Sequence, residues 1–309
     1  MYTIIIPHKN IPDLLQRCLD SIPRRDDVQI VVVDDNSDAD KVDFDHFPGL
    51  NDPYVEVVFA KNEHGRMGAG YARNLGLERA KGKWLVFADA DDFFNPCFGE
   101  ALDRYKEDGN DIVFFQATSV DSDSLQVCNR GEYLNILLAR IEQTGNWDIA
   151  LKVFVPWAKF IKRELVEKNG ILFQEVPYSN DVLFSVRATQ SSQGKVVDKS
   201  SIYCVTQREN SLTGQSNDES IRIRFEVVCQ AAVFLKKYGK EKWILDDVYG
   251  RWIGLYRETF FLGLKKLPKA LNSCGFAFFR SINWRDINPI RQTYLWMQLS
   301  KMKSRLTKR

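Results

Sequence analysis

The chain has 309 residues, 44% of them hydrophobic and 27% charged, enough apolar material for a large buried core. A net charge of only +2 gives no field that would select nucleic acid as a partner. The 6 cysteines are scattered without a C-x-x-C pair and the 3 histidines stand apart, which argues against a disulfide framework or a zinc site and for a reducing cytosol.

Taken in chain order, residues 2–6 read as a buried strand ended by Pro7, and 13–22 as a helix with Leu14, Leu15, Cys18, Leu19 and Ile22 at helical spacing. The amino terminus carries no charged leader, and no apolar run approaches about 18 residues, so neither a signal peptide nor a membrane span is expected. Strands follow at 28–33, 54–59 and 83–88, with a helix at 69–80 before the last of them. The acidic, turn-rich segment 38–53 reads as a surface connection. Such alternation predicts parallel βαβ units. A helix at 98–107 and a strand at 111–115 complete the regular part. Beyond them come a helix at 131–143, a short strand at 156–161, a helix at 163–169 closed by Gly170, a helix at 181–189 and a strand at 201–206. After the Ser/Asn/Gly-rich stretch 210–217 the pattern turns helical and aromatic, at 221–238, 242–264 and 290–306. The expected architecture is α/β: a Rossmann-like, mostly parallel sheet flanked by helices over 1–215, then a helical region over 216–309.

Acids begin where two apolar runs stop. Asp34 and Asp35 follow Ile30-Val31-Val32-Val33, while Asp89 and Asp91 follow Trp84-Leu85-Val86-Phe87-Ala88, with Asp92 directly behind. Burial forces acids out beyond a buried strand, so these gather at the carboxyl edge of the sheet, where open α/β sheets bind ligands. Carboxylates two apart in an extended segment point the same way and can address one hard, oxygen-bound cation. The segment 65–76 carries Gly65, Gly68, Gly70 and Gly76 with Arg66 and Arg73, which suit phosphate or ribose oxygens as well as a mobile glycine loop and a helix whose Arg73 makes a structural ion pair. The first turn, Pro7-His8-Lys9-Asn10, has no glycine, which disfavours a dinucleotide-binding protein. Asn180-Asp181 opens a helix and reads as a cap, as a general base, or as both.

Together these residues resemble family 2 inverting glycosyltransferases of the bacterial surface-polysaccharide type, which have the GT-A fold. The resemblance rests on Pro7-His8-Lys9-Asn10, Val32-Val33-Asp34-Asp35-Asn36-Ser37, Ala72-Arg73-Asn74-Leu75-Gly76, Asp89-Ala90-Asp91-Asp92 and Asn180-Asp181, in that order, over residues 1–215. It implies a nucleotide-sugar half at 1–110 and an acceptor half at 111–215. It also implies that Pro7, Lys9, Asp35 and Arg73 hold the nucleotide of a sugar donor, a uridine diphosphate sugar first among them. Asp89 would face ribose and metal, Asp91 would ligate Mg²⁺ or Mn²⁺, Arg208 would approach the diphosphate, and Asp181 would be the base for a saccharide or lipid-linked acceptor hydroxyl. Two positions depart from the family pattern. Lys9 stands where an aromatic usually stacks on the base, and Asn180 where a Glu usually precedes the catalytic Asp, a lost like charge that lowers the Asp181 pKa. Alternatives are a metal-dependent nucleotidyltransferase and a nucleotide-sugar-binding scaffold without catalysis. The basic tail, Lys301, Lys303, Arg305, Lys308 and Arg309 beside Tyr294 to Met297, suits either peripheral contact with anionic lipid or a frayed helix end. A cytoplasmic enzyme, or one at the inner face of the membrane, is expected.

Overall fold

Ile4, Ile5, Ile6 and Ile30, Val31, Val32, Val33 are all fully buried, as continuous β-branched runs are when a sheet is covered on both faces. The computed structural model describes residues 1–61, 66, 68–208, 217–258, 260–274 and 278. The chain divides into two units, Met1–Gln215 and Ser216–Arg309. In the first unit the strands are β1 (Tyr2–His8), β2 (Val28–Asp34), β3 (Val55–Phe59), β4 (Trp84–Phe87), β5 (Phe93–Phe94), β6 (Ile112–Asp121), β7 (Lys159–Lys162) and β8 (Lys195–Gln207). Its helices are α1 (Pro12–Asp20), α2 (Ala69–Arg79), α3 (Phe98–Tyr105), α4 (Glu132–Thr144), α5 (Arg163–Lys168) and α6 (Val182–Ser191).

The strands form one sheet of order β3-β2-β1-β4-β7-β6-β8-β5. β1 to β4 are mutually parallel where they pair, β7 runs antiparallel between β4 and β6, and β8 is parallel to β6. The α/β architecture read from the sequence is thus the one observed. α2 packs against β1 and β2, with Tyr71 and Ala72 closing over Val31 and Val33.

Pro7 does not end β1, contrary to expectation. The Ile5 carbonyl accepts from Ala88 on the β4 side, and the His8 carbonyl accepts from Asp35 on the β2 side. Alternation therefore turns Pro7 toward β4, whose pairing already stops at Ile5 and Phe87, so the missing N–H leaves no ladder bond unmade. β6 and β8 run well beyond their expected apolar stretches, because their ends, such as Thr118 and Ser119, are polar yet pair with each other in the ladder. A β-bulge around Gln116 shifts their register. An unexpected 3-10 turn, Trp147–Lys152, carries buried Ile149, Ala150 and Leu151 beneath α4 and α6.

In the second unit, α7 (Asp218–Lys236) begins at a capping box between Asn217 and Ser220. The single helix expected at 242–264 is instead a 3-10 turn, Glu241–Ile244, followed by α8 (Leu245–Glu258) and α9 (Phe260–Cys274). α8 and α9 pack on each other, a reversal that helical periodicity does not reveal. The buried Trp252 Nε1 donates to the Gly263 carbonyl at 3.0 Å, tying the two together. The helix expected at 290–306 and the basic tail lie outside the described residues. Among the described residues no helix is long and apolar enough to cross a membrane.

Candidate active site

The turn after β1 and the turn after β2 are stitched side by side. Asn10 and Asn36 both adopt left-handed backbone (φ 59° and 53°), which Asn tolerates better than most residues. Asn10 N–H donates to Ser37 Oγ, and the Asn10 side chain exchanges hydrogen bonds with Asp38. Buried His8 meets Asp34 through Nδ1 at 2.8 Å, while its Nε2 accepts from the Ile11 N–H at 3.1 Å. An acceptor Nε2 places the ring proton on Nδ1, so His8 donates to Asp34. Asp34 also accepts from the Ser37 N–H and hydroxyl. Burial works to raise the Asp34 carboxyl, but these hydrogen bonds outweigh it and hold it below the usual carboxylate range. Asp34 thus braces the two turns.

Asp35 faces the other way. Both of its oxygens accept from the Gly68 N–H, at 2.9 and 2.8 Å, at the head of α2. Gly68 has φ +94°, a conformation that favours glycine. Burial pushes the Asp35 carboxyl up, against the Gly68 hydrogen bonds and the charge of exposed Lys9. Lys9 Nζ donates to the Asp35 carbonyl at 3.1 Å. The α2 glycines serve packing. A Cβ on Gly70 would lie 2.0 Å from the Gln174 carbonyl oxygen, and one on Gly76 2.4 Å from Ile5 Cγ2. Asn74 completes the contact, its amide exchanging two hydrogen bonds with the Phe173 backbone. Arg66 pairs with Glu175 and lies over the Tyr71 ring; Gly65 falls outside the described residues.

Arg73, only 5% exposed, joins two parts of the edge. One amino group donates to Asp89 Oδ1 and the other to Asn180 Oδ1 at 2.7 Å. Asp89 to Asp92 form a tight turn after β4, fastened from below. The Tyr203 hydroxyl accepts from the Asp89 N–H and donates to Asp92, whose other oxygen accepts from the Thr206 N–H at 2.6 Å. Arg17, from α1, donates to the Asp91 carbonyl at 2.8 Å and to the Ser122 carbonyl at 2.9 Å. Arg208, directly after β8, pairs with Asp91 Oδ2 at 3.0 Å. Burial and then the neighbouring Asp89 raise the Asp91 carboxyl against the pull of Arg208, and burial with both neighbouring acids raises Asp92 further.

Asp181 is the half-buried N-cap of α6, with Asn180 beside it on Arg73. Its carboxyl is raised, by burial first and by Asp89, while Arg73 and Lys159 oppose. The lowering expected from Asn180 is therefore outweighed by desolvation.

The Glycosyl transferase family 2 model matches residues 3–170. The chain belongs to glycosyl transferase family 2. It is 24% identical over 220 residues to the Bacillus subtilis glycosyltransferase EpsJ, covering 69% of this chain and 63% of that one. It is 26% identical over 195 residues to the Bacillus spizizenii poly(ribitol-phosphate) beta-glucosyltransferase, covering 60% of this chain and 29% of that one. The chain thus spans less than two thirds of the length of either relative. Staphylococcus aureus TarS 1-349, solved with UDP-GlcNAc, superposes with a TM-score of 0.60 at 20% identity, over 92% of this chain and 82% of that one. The Pyrobaculum calidifontis mannosyltransferase PcManGT, solved with GDP-Man and Mn²⁺, gives 0.53 at 17% identity, over 96% and 84%. These likenesses show the GT-A fold.

For a family 2 chain, the placement of the expected residues is informative. Arg73, Asp89 and the Asn180-Asp181 pair form one network, and Asp91 with Arg208 adjoins it through the acidic turn. Asp35 and Lys9 form a second group beside it, and Pro7 contributes only buried surface at the end of β1. Among the described residues no group of three or more His, Cys, Asp or Glu side chains is placed to hold a metal. A diphosphate-bridging Mg²⁺ or Mn²⁺ needs only one or two carboxylates besides phosphate and water oxygens. The pair fits that lesser demand: Asp89 raises Asp91, and each acid engages its arginine through one oxygen. Sequence reasoning missed His8, Arg17, Tyr203, Thr206 and Lys159. Only Lys159 carried a usable signal, an ionisable residue inside the otherwise apolar segment 156–161.

Proposed function

We propose that the chain moves a sugar from a nucleotide-diphosphate donor to the hydroxyl of a saccharide or lipid-linked acceptor, inverting the anomeric centre, in surface-polysaccharide synthesis. The observation that carries this reading is Arg73, which spans from Asp89 on the acidic turn to Asn180 beside Asp181. Donor chemistry and acceptor chemistry then meet at one guanidinium. Lys9 and Asp35 lie on the nucleoside side, where each Asp35 oxygen keeps a lone pair beyond its Gly68 bond for a base N–H. A uridine diphosphate sugar is the favoured donor class, in keeping with the UDP-GlcNAc bound to TarS. Asp91 with Asp89 would hold Mg²⁺ or Mn²⁺, which when bound neutralises charge on the departing diphosphate. Arg208, released from Asp91, would add its own charge to that oxygen cluster.

Asp181 takes the proton of the acceptor hydroxyl as that oxygen attacks the anomeric carbon from the face opposite the diphosphate. Burial makes its carboxylate a stronger base, while Arg73 and Lys159 keep it ionised. With the diphosphate leaving as a stabilised anion, no second carboxyl group need protonate it, so one base suffices. The cytoplasm, or its membrane face, is the proposed place of action. Donor turnover by Asp181→Asn beside the wild type tests the assignment. The rate should fall on the order of 100- to 10,000-fold. Equal rates would sink it and favour a scaffold that binds nucleotide sugar without transfer.

A further inference from the structure

We propose that Arg17 of α1 is a positioning residue for Asp91: its guanidinium fork holds the Asp91 carbonyl and the end of β6 together, and so fixes where the Asp91 carboxylate and its partner Arg208 stand. The inference rests on the reading of Asp91 as a cation ligand.

Arg17 is half-buried. One of its amino groups donates to the Ser122 carbonyl at 2.9 Å, and the other donates to the Asp91 carbonyl at 2.8 Å and to Ser122 Oγ at 3.3 Å. The guanidinium carbon lies 5.3 Å from the centre of the Phe93 ring, just beyond the acidic turn. Two carbonyls and a hydroxyl are neutral acceptors, so these bonds answer no opposite charge. What they use is the rigid angle between the two amino groups. Docking of α1 has other means: Leu15, Cys18 and Leu19 are fully buried, and Ser21 Oγ accepts from the Phe94 N–H at 2.9 Å.

Both arms of the fork lead to the Asp91–Arg208 pair. The Asp91 carbonyl also accepts from Thr206 Oγ1 at 2.8 Å, so it is gripped from α1 and from β8. A peptide unit is planar, and a carbonyl held from two sides fixes the plane joining Asp91 to Asp92, and with it the direction in which the Asp91 side chain leaves the turn. On the other arm, the Ser122 N–H donates to the Gln207 carbonyl at 2.8 Å, and Arg208 is the next residue. Arg17 thus bears on Asp91 through its backbone and on Arg208 through Ser122 and Gln207. Groups that orient a metal ligand are worth roughly 10- to 100-fold in metal affinity. Thr206 keeps its bond when Arg17 is removed, so the low end of that range applies.

Titration of MnCl₂ into the protein with UDP present, free Mn²⁺ being read by electron paramagnetic resonance, tests this. Arg17→Met should raise the midpoint about tenfold, and Arg17→Lys, which keeps the charge without the fork, should raise it too. Donor turnover should fall at low Mn²⁺ and recover as Mn²⁺ is raised. A merely structural role would shrink the bound fraction at saturation and leave the midpoint in place, a result that overturns the inference. A wild-type midpoint in Arg17→Lys beside a shifted Arg17→Met would assign the effect to charge and overturn it as well. The control is Arg104→Met, which removes an arginine of α3 paired with Asp198 near the other end of β8 and should match the wild type. If Asp91→Asn binds Mn²⁺ as the wild type does, or the wild type binds none, the ligand reading fails and takes this role with it. Weakened binding in Asp91→Asn beside an unshifted Arg17→Met overturns the positioning role alone.

Discussion

Asp34 and Asp35 are adjacent in sequence and opposite in environment. Period-two alternation sends one to the His8 side of β2 and the other to the head of α2. Asp34, ringed by donors, is a brace, and removing it leaves the His8 N–H and two Ser37 donors without their acceptor in a buried site. Asp34→Ala should therefore lose about 2–3 kcal/mol in urea denaturation at neutral pH. The folded carboxyl lies below its unfolded value of about 3.9, so its contribution is fully present above that pH and disappears as the pH falls through the folded value. The deficit of the variant should shrink accordingly below about pH 3.9. Residue-level chemistry of this kind was half legible. The acids announced an edge, but which of them braces the turns and which meets the head of α2 depends on partners, His8 and Gly68, far away in sequence.

At the scale of elements, α2 is the decisive piece, because its glycines let it approach the Gln174 backbone and the Ile5 side chain at once. Gly70→Ala would drive a Cβ to 2.0 Å from the Gln174 carbonyl, which cannot yield as a flexible side chain would. It should lose about 1–3 kcal/mol and, by shifting Arg73, raise the donor KM. Gly250, exposed in α8 with nothing within 4 Å of its Cβ position, is the matched control. There alanine should add about 0.5–1 kcal/mol of stability, read in the same denaturation assay. The apolar runs of β1, β2 and β4 made the parallel core plain in the sequence, since a doubly covered strand has little choice of residues. The two-residue β5, the polar ends of β6 and β8 and the reversal between α8 and α9 were not legible. Their pairings come from tertiary partners, and neither period two nor period 3.6 records those.

Over the molecule as a whole, pH acts through groups that folding hides. Lys159 has a folded midpoint of about 7 against an unfolded value of about 10.4, so between them the unfolded chain holds a proton that the folded chain lacks. Stability contributed at this residue rises with pH across that window. Cys18 and Tyr203, raised by burial, push the other way at higher pH and do so equally in the wild type and in Lys159→Met. The difference between the stability curves of the wild type and Lys159→Met should therefore climb from about pH 7 to about pH 10 in favour of the wild type, and parallel curves would count against it. The Arg73 span has a consequence of another kind. With donor and acceptor placed as proposed, a donor that drew Asp89 toward itself would loosen a strut whose far end stands beside Asp181, and each substrate would sense the other. Linkage then requires donor and acceptor to alter each other's affinity by one common factor. Calorimetric titration of donor with and without acceptor measures that factor. Arg73→Lys, a point charge without the fork to reach both oxygens, should bring it toward unity. How strongly two substrates favour or oppose each other's binding would then be a property of one side chain's reach.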